Sequence, residues 1–238
     1  MKVVKIVTRL LRLGTLVAAL VCIGCVIAGV RPAAPPWLPP MFASTPTAAD
    51  PLAPMHTVNG QVTRWDRCTV DLVVNHDAAP AGAVALLRAA AADVSAASGM
   101  RISVTGSSRA RPSAGYGLDG DAPVLVSFDR HGSSGLDTVG SAGQFQPRVK
   151  TTADGRTVYS SGMLTIDVDA YRALSPGRGS SGSQYTLFVH ELSHLVGLGH
   201  SSMSGSVMDP HLGSAAGITD DVRAGYARVV PSACASVR

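Results

Sequence analysis
His190-Glu191-Leu192-Ser193-His194-Leu195-Val196-Gly197-Leu198-Gly199-His200 is the stretch on which the reading of the whole chain turns. On a helix, residues four apart share a face, so His190 and His194 present two imidazoles to one point. Imidazole suits zinc, and a catalytic zinc keeps three protein ligands and one open position. A helix running on past Val196 would carry His200 away. Gly197 lets the backbone leave the helix and turn back, which makes His200 the third ligand. Glu191 follows the first ligand and is placed to take a proton from a water at the ion without ligating the ion itself. Five fixed residues at this spacing arise by chance, in a chain this long, on the order of once in 100,000. Glu191 is also the only glutamate in the chain, which argues against a surface-filling role.

Working outward, Tyr185–Leu198 reads as a helix, preceded by a Gly/Ser loop at Ser175–Ser183. Thr69–Asn75, Arg101–Thr105 and Pro123–Phe128 read as strands, and Thr157–Asp169 as one or two more. Ser133–Gly143 is rich in Gly and Ser, with a short strand expected near its end. Ala81–Ser98 has Val84, Leu87, Ala91 and Val94 at helical spacing, and Gly99 follows as a stop. Thr219 is expected to cap a last helix that opens with Asp220 and Asp221, where negative charge is favoured. Strands grouped around a few helices predict an α+β domain.

The N-terminal part differs in kind. Residues 1–12 carry four positive charges, and Leu13–Val30 has 18 residues without a charge. That length reaches the lower limit for a membrane-spanning helix, and no clean Ala-x-Ala cleavage site follows. The charge bias predicts a cytoplasmic N-terminus and an uncleaved signal anchor, with a cleaved signal peptide as the alternative. Residues 31–59, in which eight prolines fall between Pro32 and Pro54, read as a linker. The folded domain is expected over 60–238. Cys22 and Cys25 lie within the apolar run, whereas Cys68 and Cys234 bracket the domain and read as a disulfide of an exported protein. Two unpaired buried thiols are the other reading, and Cys68 as a cap on the metal is a third.

The net charge of +4 comes from the N-terminus. Five of the 20 basic residues lie in residues 1–31, leaving 15 against 16 acidic residues in the remainder, a net of −1. No general basic face for nucleic acid follows.

Around the histidines the chain resembles the matrixin-like metzincins, bacterial matrixin-type peptidases included. The resemblance rests on the long histidine motif, on Ser201 after it, and on Met208 within Ser206-Val207-Met208-Asp209-Pro210, which looks like the methionine turn of that family. Ile218-Thr219-x-Asp221-x-x-x-Gly225-Tyr226-x-x-Val229 resembles its C-terminal helix, Gly162–Asp169 its strand before the active-site helix, and Arg64-Trp65-Asp66-x-Cys68 the opening of the bacterial members. It implies a metzincin-type catalytic domain, with a twisted mixed sheet, an active-site helix and a C-terminal helix. It also implies a zinc-dependent endopeptidase holding one catalytic zinc on His190, His194 and His200. Glu191 would be general base, Gly197 and Met208 would be structural, and a protein or peptide substrate would lie extended and antiparallel to an edge strand within Asp137–Phe145. A pocket near Met208–Gly213 would set side-chain preference, with His211 a candidate lining residue.

The departures from the family bear on its other sites. Thr165 stands where matrixins carry a structural-zinc histidine, and only His131 is nearby, so a second zinc is not expected. Asp209 follows the methionine in place of a tyrosine, so no tyrosine ligand is assigned. Calcium binding at Asp137, Asp167 and Asp169 is weighed against ordinary strand-end and loop acids. His56 and His76 are expected to be structural or solvent-facing. The placement expected is extracytoplasmic, membrane-anchored through the apolar segment or, alternatively, secreted after cleavage.

Overall fold
The computed structural model describes residues 52–118, 120–130, 141–212 and 214–234. The apolar segment Leu13–Val30, most of the proline-rich linker, His131 and Asp137 lie outside the described residues. Among those described, no helix is long and apolar enough to cross a membrane.

The main sheet has six strands. In β5 (Thr69–Val74) Val70, Leu72 and Val74 are buried while Asp71 is exposed, the alternation of a strand with one covered face. The 16-residue helix α1 (Ala83–Ser98) carries the chain to a parallel neighbour, β6 (Arg101–Ser107). Gly99 ends α1 in the left-handed region, at φ 82°, and its N–H bonds the Ser95 carbonyl. The Ser95 hydroxyl then accepts from Ile102 N at 2.9 Å and so ties the helix end to β6.

β7 (Val124–Asp129) is buried from Val124 to Phe128, as parallel strands covered on both faces are. β9 (Thr157–Asp167) is 11 residues long. β7 pairs in parallel with its second half, and β4 (Arg64–Trp65) pairs in parallel with Val158 and Tyr159 near its start. β8 (Gly143–Thr151) runs antiparallel along the whole of β9, from Thr151↔Thr157 to Gly143↔Ile166. Because that register overlaps those of both β4 and β7, β8 occupies the opposite flank of β9. It is therefore an edge strand, and its outer side has no strand partner among the described residues.

This α+β architecture, a parallel-dominated sheet with one antiparallel edge, is the fold class the sequence predicts. Its elements differ in detail. Of the one or two strands expected within Thr157–Asp169, one forms and ends at Asp167, whose carboxylate accepts from Ala170 N at 2.7 Å and caps a short helix, α2 (Val168–Ala173). The edge strand is not confined to the Gly/Ser stretch but extends to Thr151.

The expected linker boundary also moves. β1 (Leu52–Pro54) and the hairpin of β2 (Thr57–Val58) with β3 (Gln61–Val62) lie before or across the expected domain start near Gly60. β1 pairs with β10 (Leu198–Ser201), and Leu52 is fully buried. Prolines exclude a central strand, not a short edge one, so Pro54 is compatible with this docking.

Candidate metal centre and active site
Helix α3 (Gln184–Val196) lies inside the domain, with every residue from Tyr185 to Val196 buried, the polar Thr186, His190, Glu191, Ser193 and His194 included. It packs against α1, which covers it from one side. The Ser183 hydroxyl accepts from Thr186 N and caps its start. Gly197 ends it at φ 123°, with its N–H on the Ser193 and His194 carbonyls. β10 then returns His200 toward the helix.

The three histidines converge. His190 Nδ1 lies 2.7 Å from the Val207 carbonyl, and His194 Nδ1 lies 2.7 Å from the Leu198 carbonyl. A carbonyl can only accept, so each Nδ1 carries the proton and each Nε2 is left with a bare lone pair. His194 Nε2 is 3.1 Å from His190 Nε2 and 3.2 Å from His200 Nε2. With the Nδ1 protons fixed, the His190–His194 approach is no hydrogen bond between neutral rings. It is a set of donors aimed at one shared cation. Ligands about 2.0–2.1 Å from a tetrahedral zinc stand roughly 3.3 Å apart, close to these separations. Among the described residues, this trio forms a metal-compatible cluster. Burial pushes the His190 imidazole down to about 4 and lowers those of His194 and His200, so the three rings stay neutral at neutral pH, each with one nitrogen lone pair free for a cation. The donor set therefore fits zinc.

Glu191 lies on the same helix, 3% exposed. Burial raises its carboxyl to about 8, and its Oε2 is buried with no hydrogen-bond partner in the protein. A buried acceptor left unmatched is costly, and such groups cluster where chemistry is done. The carboxylate lies against the edge strand: a Cβ at Gly143 would sit 2.7 Å from Glu191 Oε1 and 2.8 Å from its Cδ. Gly143 does not have a left-handed φ, so its glycine is explained by this close approach and not by a turn. The sequence reading passes over Gly143, which looks like one more glycine in a Gly/Ser stretch.

A further set of contacts holds the histidines. Met208 is fully buried, and Val207 beside it supplies the carbonyl that orients His190. Ser201 N bonds the Met208 carbonyl at 2.8 Å, joining the turn to β10. Asp221, in the first turn of α4 (Asp220–Val229), accepts from Ser206 Oγ at 2.6 Å and Ser201 Oγ at 3.3 Å. Thr219 takes the N-cap position of α4, but its side chain makes no capping bond; it accepts instead from Val207 N. Behind α3, Trp65 Nε1 donates to the Leu195 carbonyl at 2.7 Å, satisfying a helix-end acceptor.

The other candidates separate. Cys68 and Cys234, 166 residues apart in sequence, are joined as a disulfide with Cα atoms 5.2 Å apart, so Cys68 is not a thiol facing the metal. Thr165 bonds Ser127 inside the sheet. Asp167 is engaged as the α2 cap, and Asp169 faces Arg172 at 3.9 Å. His211 is exposed beside Asp209, His76 is exposed, and His56 is half-buried with Nδ1 3.1 Å from the Tyr159 hydroxyl.

A parallel-dominated sheet with an antiparallel edge, a buried helix with two histidines, a glycine turn and a third histidine define a metzincin-type metallopeptidase domain. Residues 126–225, from β7 into α4, match the Peptidase_M10 family, described as matrixin, and the chain thus carries a matrixin-like metzincin peptidase domain. Matrixins are zinc-dependent endopeptidases, and the domain is of that zinc metallopeptidase class. No curated protein matches the chain.

Proposed function
We propose that the protein is an endopeptidase in which His190, His194 and His200 hold one zinc and Glu191 acts as general base. The observation that carries this is the orphaned, buried Glu191 carboxylate one residue from the first of three convergent imidazoles. Bound there, zinc supplies a Lewis acid that polarises a carbonyl and acidifies water. The chain's own groups do the rest. Glu191 accepts a proton from the attacking water and passes it to the departing amine nitrogen. An extended substrate adds as a strand along the open side of β8, where backbone pairing aligns it and Gly143 brings its reacting bond beside Glu191.

The disulfide supports an oxidising, extracytoplasmic setting, reached by secretion or by tethering through Leu13–Val30. A zinc-binding module without hydrolytic activity would have no use for a buried, unpaired carboxylate.

The test is paired on one sample of Glu191→Ala. Zinc content should be unchanged, because Glu191 is not among the ligands, and hydrolysis of a denatured protein should fall by about 10²–10⁴-fold. Retained zinc with near-normal hydrolysis would mean that another group activates the water.

A further inference from the structure
We propose that Leu52–Met55 is a strap belonging to the metal centre, which holds the His200 strand in place, so that the catalytic unit begins at Leu52 and not at the end of the proline-rich stretch. The proposal rests on the zinc-peptidase reading of the site.

β10 carries the third histidine and stands apart from the main sheet. Its only strand partner among the described residues is β1. The pairs Leu52↔Ser201 and Pro54↔Leu198 bracket His200. Met55 N–H donates to the Gly197 carbonyl at 2.7 Å, at the turn where the chain leaves α3. The strap lies so close that a Cβ at Gly199 would be 3.1 Å from the Ala53 carbonyl oxygen, which explains the small residue before His200.

The strap is itself anchored on α4. Leu52 fills a socket left by Gly225, where a Cβ would meet Leu52 Cδ2 at 2.6 Å and Leu198 Cδ2 at 3.0 Å. Arg228 Nη2 donates to the Leu52 carbonyl at 2.7 Å. These contacts bear on two ligands together. Leu198 supplies the carbonyl that fixes the His194 tautomer, and His200 lies two residues further on. A four-residue strand with its outer edge unpaired would leave both supports to a loop. Groups that orient metal ligands in this way typically change metal affinity by about 10–100-fold when lost.

The consequence is a limit on processing. Any cleavage that separates the enzyme from its N-terminal segment must fall before Leu52 to leave the centre intact.

The experiment uses the full chain. Leu52→Ala empties the socket, Leu52→Met refills it, and Val58→Ala, at an exposed position on β2, is the control. Zinc affinity is measured by chelator competition well below the melting temperature, with amide exchange followed over residues 198–201. Leu52→Ala should bind zinc about 10–100-fold more weakly and exchange faster at β10. Leu52→Met and Val58→Ala should match the wild type in both. If Leu52→Ala fails to fold, Met55→Pro, read against Met55→Ala to account for the lost side chain, reports the same quantities, because it removes the N–H given to Gly197 without altering Leu52. Wild-type zinc affinity in a folded strap variant would reduce Leu52–Met55 to ordinary packing and overturn the proposal. Wild-type protein that binds no zinc at all would overturn the reading of the site itself.

Discussion
Gly143 and Glu191 show how much a single missing atom does at the residue scale. The carboxylate lies where a Cβ on the edge strand would be, and its Oε2 finds no partner in the protein. Gly143→Ala should therefore keep zinc, since no ligand is touched, and lower the turnover rate by displacing the base. Displacement on the order of 1 Å at a reacting centre costs about 10²-fold, and the loss should fall on kcat more than on KM. Steady-state kinetics beside zinc analysis checks this, and an unchanged kcat would show that the carboxylate swings aside at no cost. Of the residues at the centre, those in the histidine motif were legible because ligand geometry on a helix has a fixed spacing. Gly143 was not, because its neighbour is 48 positions away and no local pattern encodes that contact.

At the scale of elements, Asp221 joins three of them: the first turn of α4, the Met208 turn through Ser206, and β10 through Ser201. Burial acts to raise its carboxyl, but hydrogen bonds from Ser206, Thr219, the Val222 N–H and Ser201 outweigh this and hold it below the ordinary carboxylate value. A depressed value in the folded state means that the ionised form stabilises the fold above the unfolded value of about 4, and that this stability is lost as pH falls through the lower folded value. Asp221→Ala should cost about 1.5–3 kcal/mol at neutral pH, in line with hydrogen bonds to a charged group. Its gap from the wild type should shrink toward about pH 3. Denaturant titrations at both pH values decide it, and an equal gap at both would show that the charge plays no part. α1 was readable from periodicity and its glycine stop, α3 from the histidine spacing and Gly197, and α4 from Thr219 and the acidic first turn. α2 was not, because its six residues follow a strand without a break and only the Asp167 cap marks the change.

At the scale of the molecule, the Cys68–Cys234 bridge links the loop before β5 to the 3₁₀ turn Ser232–Cys234 after α4, across 166 residues of sequence. Closing so long a loop restricts the unfolded chain, and loss of a native bridge typically costs about 2–5 kcal/mol. Cys68→Ser should lower the free energy of unfolding, measured by denaturant titration, by that margin while leaving the three histidines assembled in the folded protein, because neither sulfur touches them. A variant as stable as the wild type would mean that the ends are held by packing alone. The sequence by itself determined the α+β class, the helix bearing His190, Glu191 and His194 and the turn at Gly197, because each follows from short-range patterns: strand and helix runs, ligand spacing, a backbone stop; the place of Met208 came from the family resemblance. Tertiary structure alone decided which way the groups around the histidines face. It set β8 at the sheet edge against Glu191, folded the end of the proline-rich stretch onto β10, and turned Nδ1 of His190 and His194 toward carbonyls so that their Nε2 atoms meet. The contacts of β8 with Glu191 and of β1 with β10 join residues tens to more than a hundred positions apart, whereas the imidazole bonds span only 17 and 4 positions and still need the turns after α3 folded back before they exist.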